Sequence, residues 1–156
     1  MDYILQLRQI VGHRPLVVVV AATLIVDANN RLLLLKRSDS NCWGLPGGGV
    51  EPGAFVEAAA RREALEETGL ELGEMALFGV FSGPDLYYVY PNGDETDNVF
   101  ITYLTRQTRG TLRINDEHTG WRWFAPAELP DPAEISAPIL PIIEQFNLFS
   151  TEKGNS

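Results

Sequence analysis

The chain has 156 residues, 45% of them hydrophobic, a single cysteine and a formal net charge of −9. That length suits one domain with a sizeable core, the acidic balance lacks the basic footprint a duplex nucleic-acid partner needs, and one cysteine permits no internal disulfide, which points to a reducing, cytoplasmic setting. The charge is uneven, +2 over residues 1–46 and −11 over the remainder, a bias that suits bound cations.

The segment "YILQLRQIV" at 3–11 places Ile4, Leu7 and Val11 at helical spacing. The run "LVVVVAATLIV" at 16–26 is too short to span a membrane and rich in β-branched residues, so it reads as a strand and no membrane partner is expected. The stretch ahead of it, with Asp2, does not suit a secretory signal. "DANN" at 27–30 separates that strand from "RLLLLKR" at 31–37, and the pair reads as a hairpin. In "SDSNCWGLPGGGVEPGA", residues 38–54, the prolines and glycines exclude regular structure. A helix follows over about 55–68, with Gly69 placed as its left-handed terminator. Strand signals come next in "EMALFGVFSG", "DLYYVY" and "NVFITYLTR", with Asn92-Gly93 as a turn between the last two. "GTLRI" and "WRWFA" add two more strand candidates. "APILPIIEQF" reads as a helix starting near Pro138 or Pro141. The whole reads as a single domain over 1–149 with a flexible tail, "STEKGNS", over 150–156.

The helix segment "RREALEETGL" at 61–70 raises the functional question. Steps of 100° per residue put Glu66 and Glu67 within about 60° of Glu63, on the stripe shared by Val56, Ala59 and Ala60. Three like charges beside small apolar residues repel one another, and a cation is the natural remedy. The glycine run ahead of the helix fits neither usual nucleotide loop. A P-loop needs Gly-Lys-Ser/Thr, and a dinucleotide fingerprint needs glycine where this chain has Pro52. What remains is backbone free to approach a ligand beside clustered carboxylates, a set of oxygen donors suited to Mg²⁺ or Mn²⁺ and, through them, to phosphates.

Residues 48–70, "GGVEPGAFVEAAARREALEETGL", closely resemble the signature of the Nudix hydrolases. Gly48, Arg62, Glu63, Glu66, Glu67, Gly69 and Leu70 fall in register, and "WGLPGG" at 43–48 is a lead-in many members show. The resemblance extends over about 17–147 and implies an α/β/α sandwich around a central mixed β-sheet. One position departs: Ala54 stands where the family has its first glutamate, which braces the loop and orients the arginine matching Arg62. Glu57 is a possible stand-in, although Arg61 at i+4 is its more ordinary partner, and Glu51 is another.

By resemblance, Glu63, Glu66 and Glu67 bind divalent cations with the Gly48 carbonyl, and Arg62 orients a glutamate. A loop carboxylate acts as general base, with Glu117 the candidate and Asp116 and Glu95 its rivals. His118 reads as a surface histidine. Arg37, at the end of a strand feeding the loop, could reach phosphates. Tyr88 and Tyr90 share one face of their strand and Tyr87 the other, so Tyr88 could stack on a base, although core packing is the commoner use of such tyrosines. The three tryptophans read as packing residues. The implied activity is an Mg²⁺-dependent pyrophosphohydrolase acting on a small nucleotide. The alternative is a non-catalytic Nudix-like nucleotide sensor, against which the intact carboxylate set speaks. Downstream markers of the family conflict over the substrate: Pro84 lies near where ADP-ribose hydrolases carry proline, and Tyr87 and Tyr88 lie where diadenosine polyphosphate hydrolases carry tyrosine. Nucleoside triphosphates stay equally open. A homodimer is common in the family.

Overall fold

The computed structural model describes residues 2–154. The elements run in the order α1 (Tyr3–Val11), β1 (Leu16–Ile25), β2 (Leu32–Arg37), β3 (Trp43–Gly44), β4 (Gly47–Gly49), α2 (Val56–Thr68), β5 (Glu71–Leu72), β6 (Met75–Phe81), β7 (Tyr87–Val89), β8 (Glu95–Thr105), β9 (Thr108–Arg109), β10 (His118–Phe124) and α3 (Leu140–Gly154). The central sheet is mixed, in the order β4-β1-β8-β6, with β7 pairing a further stretch of β8. β1 and β8 run parallel over ten residue pairs, and β4 and β6 are antiparallel to their neighbours. A second sheet, β10-β2-β3, and a short β5-β9 pair complete the strands.

The apolar runs at 21–25 of β1 and 32–35 of β2 are continuous because these stretches are covered on both faces, whereas Val17 and Val19 near the start of β1 are exposed. Ala22, Leu24, Leu32 and Leu34 join the core built with Ile142, Ile143 and Phe146 of α3. The alternate residues Ala21, Ile25, Leu33 and Leu35 face Ala59, Ala60 and Ala64 of α2. Helices thus sandwich the strands, the α/β/α arrangement that the resemblance implied. The alanines matter, since small side chains let α2 lie close to the sheet and bring its acidic residues near the backbone of β4.

Four local expectations need correction. The turn at 27–30 forms, with Asn30 at φ 61° and Asn30 N–H donating to the Asp27 carbonyl. The hairpin does not: β1 and β2 share one bridge, Val26 to Leu32, and then enter different sheets. Other strands take both edges of each, β4 and β8 beside β1, and β3 and β10 beside β2. The 38–54 segment holds two short strands: β3 pairs with β2 through Trp43 and Gly44, and β4 forms because glycines at 47 and 48 let the chain pair tightly along Ala22 and Ala21. "GTLRI" forms no strand. The pairing falls earlier, Arg109 with Glu71, while Leu112 and Ile114 drop into the α2-side core and Arg113 N–H donates to the Thr68 carbonyl. Lastly, α3 begins at Leu140 after a 3-10 turn at Ala137–Ile139 and continues to Gly154, into the segment read as a tail.

Candidate functional site

α2 starts at Val56 without a side-chain cap and ends at Gly69, whose φ of 71° supplies the left-handed turn and whose N–H donates to the Leu65 carbonyl. Within it, the three glutamates sample very different surroundings. Glu67 is 5% exposed, Glu63 has a side chain 14% exposed, and Glu66 stands 54% exposed at the mouth. Together with Arg62, Gly47, Gly48, Gly49, Glu51 and Glu117 they line one acidic pocket of about 450 Å³.

The glycines of β4 are required by contact. A Cβ on Gly47 would lie 2.6 Å from the Ala21 carbonyl oxygen, and one on Gly48 would lie 2.5–2.7 Å from the Glu63 carboxyl group. Gly47 N–H donates to Glu67 Oε2 at 2.9 Å. Burial pushes the Glu67 carboxyl up to about 8 despite that hydrogen bond, with Glu63 and Glu117 adding repulsion. Burial also raises Glu63; Arg62 opposes the shift, and Glu66 and Glu117 reinforce it. Carboxyl groups held in this way lack positive charge.

Arg62 supplies some of it, pairing with Glu63 at 3.0 Å and with Glu66 at 3.4 Å. Neither suggested stand-in for the missing glutamate at 54 reaches Arg62: Glu57 pairs with Arg61 at 3.1 Å, and Glu51 accepts from Tyr3 N–H at 3.2 Å. Among the described residues no three acidic, histidine or cysteine side chains converge on a common point, and Glu66 is drawn toward Arg62. The donors nevertheless fit a hard divalent cation. They are all oxygens, two of the carboxyls are short of positive charge, and Gly48 leaves its backbone open against Glu63.

Glu117 joins the pocket because its carbonyl is fixed by Ser38, whose N–H and hydroxyl both donate to it at 2.9 Å. Its rivals do not line the pocket. Glu95 accepts from the Tyr87 hydroxyl. His118 is buried rather than on the surface, its ring beside Asn115 at 3.1 Å, and burial and then Arg37 lower its pKa.

A larger cavity of about 520 Å³ shares Gly47, Gly48 and Gly49 with the acidic pocket. Tyr88 and Tyr90 form part of its wall, edge to face with ring centroids 4.8 Å apart. Arg37 lines it too, but in a two-point pair with Asp39 at 3.0 and 2.8 Å. Asp39 raises the Arg37 pKa, and Arg37 holds the Asp39 carboxyl below its usual value. Sequence reasoning missed Asp39, Asn98 and Ser136, which also line this space. The signal available for Asn98 was the alternation of β8, where Thr96, Asn98 and Phe100 fall on one buried face. Of the tryptophans, Trp43 packs on Phe124 at 5.0 Å and Trp123 on the α2-side core, but Trp121 is exposed.

Residues 15–146 match the NUDIX domain. The chain belongs to the NUDIX family of hydrolases. The family's signature segment is the stretch from Gly48 through α2 that lines the acidic pocket. An ADP-ribose pyrophosphatase of Methanocaldococcus jannaschii is 38% identical over 114 residues, 71% of this chain and 64% of that protein. A Bacillus subtilis (strain 168) protein provisionally named an 8-oxo-dGTP diphosphatase is 37% identical over 110 residues, 70% of this chain and 68% of its own. The crystal structure of a MutT NUDIX hydrolase from Burkholderia pseudomallei superposes with a TM-score of 0.68 at 34% identity, covering 85% of this chain and 98% of that one. Among the described residues no helix is long and apolar enough to cross a membrane.

Proposed function

We propose that this NUDIX chain is a divalent-cation-dependent pyrophosphohydrolase that cleaves a diphosphate bond in a small nucleotide. One observation carries the reading. Three glutamates of α2, the glycine backbone of β4 and Glu117 line an acidic pocket that shares its glycines with a cavity walled by tyrosines. A diphosphate seated at the glycines would have its nucleoside in the cavity and its reacting phosphorus at the carboxylates.

Glu63, Glu66, Glu67 and the Gly48 carbonyl would hold Mg²⁺ or Mn²⁺, which when bound neutralises diphosphate charge and acidifies a nearby water. Arg62 keeps the Glu63 and Glu66 carboxylates oriented when they are not so engaged. Glu117, within the pocket and on a loop pinned by Ser38, takes the proton of the water that attacks phosphorus, while the P–O bond to the other phosphate breaks. Arg37 faces the phosphates and Tyr88 the base. The relatives' names span ADP-ribose, an oxidised purine nucleotide and, in an Escherichia coli nucleoside triphosphatase 32% identical over 114 residues, triphosphates.

The test is phosphate release from ADP-ribose, dinucleoside polyphosphates and nucleoside triphosphates, with and without Mg²⁺. Cation-dependent turnover of at least one class is expected. A protein that binds these nucleotides tightly and cuts none of them would be the sensor instead.

A further inference from the structure

α1 lies ahead of the span matched by the NUDIX domain. Yet Asp2, Ile4, Leu5 and Arg8 form one wall of the large cavity, and Asp2 also borders the acidic pocket. No residue of the helix is fully buried, and its apolar packing is limited to the half-buried Ile4, Leu7 and Val11. Polar ties hold it at both ends. At its start, Tyr3 N–H donates to Glu51 on the glycine loop. At its far end Arg8, with a side chain 9% exposed, donates from Nη2 to the Glu95 carbonyl at 2.5 Å and from Nη1 to the carbonyls of Gly12 and Arg14. Its Nε has no hydrogen-bond partner and stands 3.7 Å from the Asp94 carboxylate. That carboxylate also meets His13 Nδ1 at 2.7 Å. Asp94 in turn closes the turn from Tyr90, its carbonyl accepting Tyr90 N–H at 2.8 Å, and Tyr90 abuts Tyr88. The Arg8 guanidinium therefore fastens α1 to the turn that carries the cavity's aromatic wall.

We propose that α1 is a nucleoside-selecting cap on the cavity and that Arg8 is its positioning residue. The inference rests on reading the cavity as the nucleoside side of the hydrolase site. The ligand class is a nucleoside 5′-phosphate whose base lies between the Tyr88–Tyr90 wall and the Leu5–Arg8 face of α1. Because the reacting phosphates sit beyond the glycines, the cap acts on binding and leaves the chemical step alone. The buried Arg8 fork has several acceptors to satisfy, so its loss frees the helix end.

Calorimetric binding of the four common nucleoside 5′-monophosphates, and of inorganic pyrophosphate with Mg²⁺, to wild type, Arg8→Met and Arg8→Lys tests this, alongside steady-state hydrolysis. Arg8→Met should weaken the best monophosphate by about tenfold and raise KM of the matching nucleotide alike, with kcat within about twofold and pyrophosphate binding unchanged. Arg8→Lys should recover part of the loss. Should Arg8→Met fold poorly, Leu5→Ala, which removes cavity wall without touching a polar tie, should shift monophosphate binding in the same direction. Unchanged monophosphate binding in these variants, a fall in kcat comparable to the rise in KM, or no monophosphate binding to wild type would overturn the cap. Monophosphate binding that depends on Arg8 in a protein that hydrolyses nothing would instead overturn the hydrolase reading and leave the cap standing.

Discussion

At the scale of single residues, the site is set by how little room surrounds Gly48. A methyl group there meets the far end of the Glu63 side chain, not backbone. Gly48→Ala should therefore fold normally while displacing the Glu63 carboxylate, and the half-saturating Mg²⁺ concentration for hydrolysis should rise by about tenfold or more. An unchanged Mg²⁺ requirement would show that Glu63 is not a ligand. Glu67 makes a different prediction. With its carboxyl raised from 4.5 to about 8, the metal-free folded protein keeps a proton that the unfolded chain has released between those values. Stability must then fall as pH rises through that window, and the loss is complete above it. Glu67→Gln should remove the loss, so in chelator at pH 8.5 it should melt above wild type and be more stable by at least the ~1.4 kcal/mol of one pKa unit, with little difference near pH 4. A lower melting temperature at pH 8.5 would contradict the assignment of that burial. The spacing of Glu63, Glu66 and Glu67 was legible because helical periodicity is local. The pairing of Arg37 with Asp39, and of Arg62 with Glu63 and Glu66, was not, since several acceptors lie within reach of any arginine and only the folded backbone chooses among them.

At the scale of elements, the glycine loop works because β4 pairs closely along the edge of β1. Gly47 touches backbone of that strand: a methyl carbon added there would stand 2.6 Å from the Ala21 carbonyl oxygen and 2.9 Å from Ala22 Cα. Backbone cannot swing aside as a carboxylate can. Gly47→Ala should therefore cost stability by about 2 kcal/mol or more and shift the chemical-denaturation midpoint, in contrast to Gly48→Ala; equal stability of the two would show that β4 is free to move. The helices were readable from periodicity and from Gly69. Strand pairing was harder, because β1 and β2 look like hairpin arms in sequence, whereas each takes partners distant in sequence, β1 pairing with β4 and β8 and β2 with β3 and β10. The stretch 110–114 departs for a different reason: Leu112 and Ile114 are packed against the core while Thr111 and Arg113 stay exposed, and the Arg113 N–H bonds the end of α2 at Thr68 instead of a neighbouring strand.

At the scale of the whole molecule, the excess negative charge after residue 46 and the carboxyl groups lifted by burial describe one feature, a concentration of acids that a cation would relieve. α3 and α2 cover opposite faces of β1 over residues 21–25, and α2 packs on Ala21 through Ala59 and Ala60, so the pocket's carboxylates stand on a helix fixed against the sheet. The exposed Glu66 offers the cleanest probe, because it contributes little to packing and its ion pair with Arg62 lies in solvent, where such pairs stabilise by well under about 1 kcal/mol. The decisive measurement is Mg²⁺-dependent hydrolysis of the preferred nucleotide by wild type and Glu66→Gln, with melting temperatures recorded for both. A fall in turnover of about a hundredfold or more at an unchanged melting temperature is predicted, whereas near-normal Mg²⁺-dependent turnover in Glu66→Gln would contradict the metal-holding role of the α2 carboxylates.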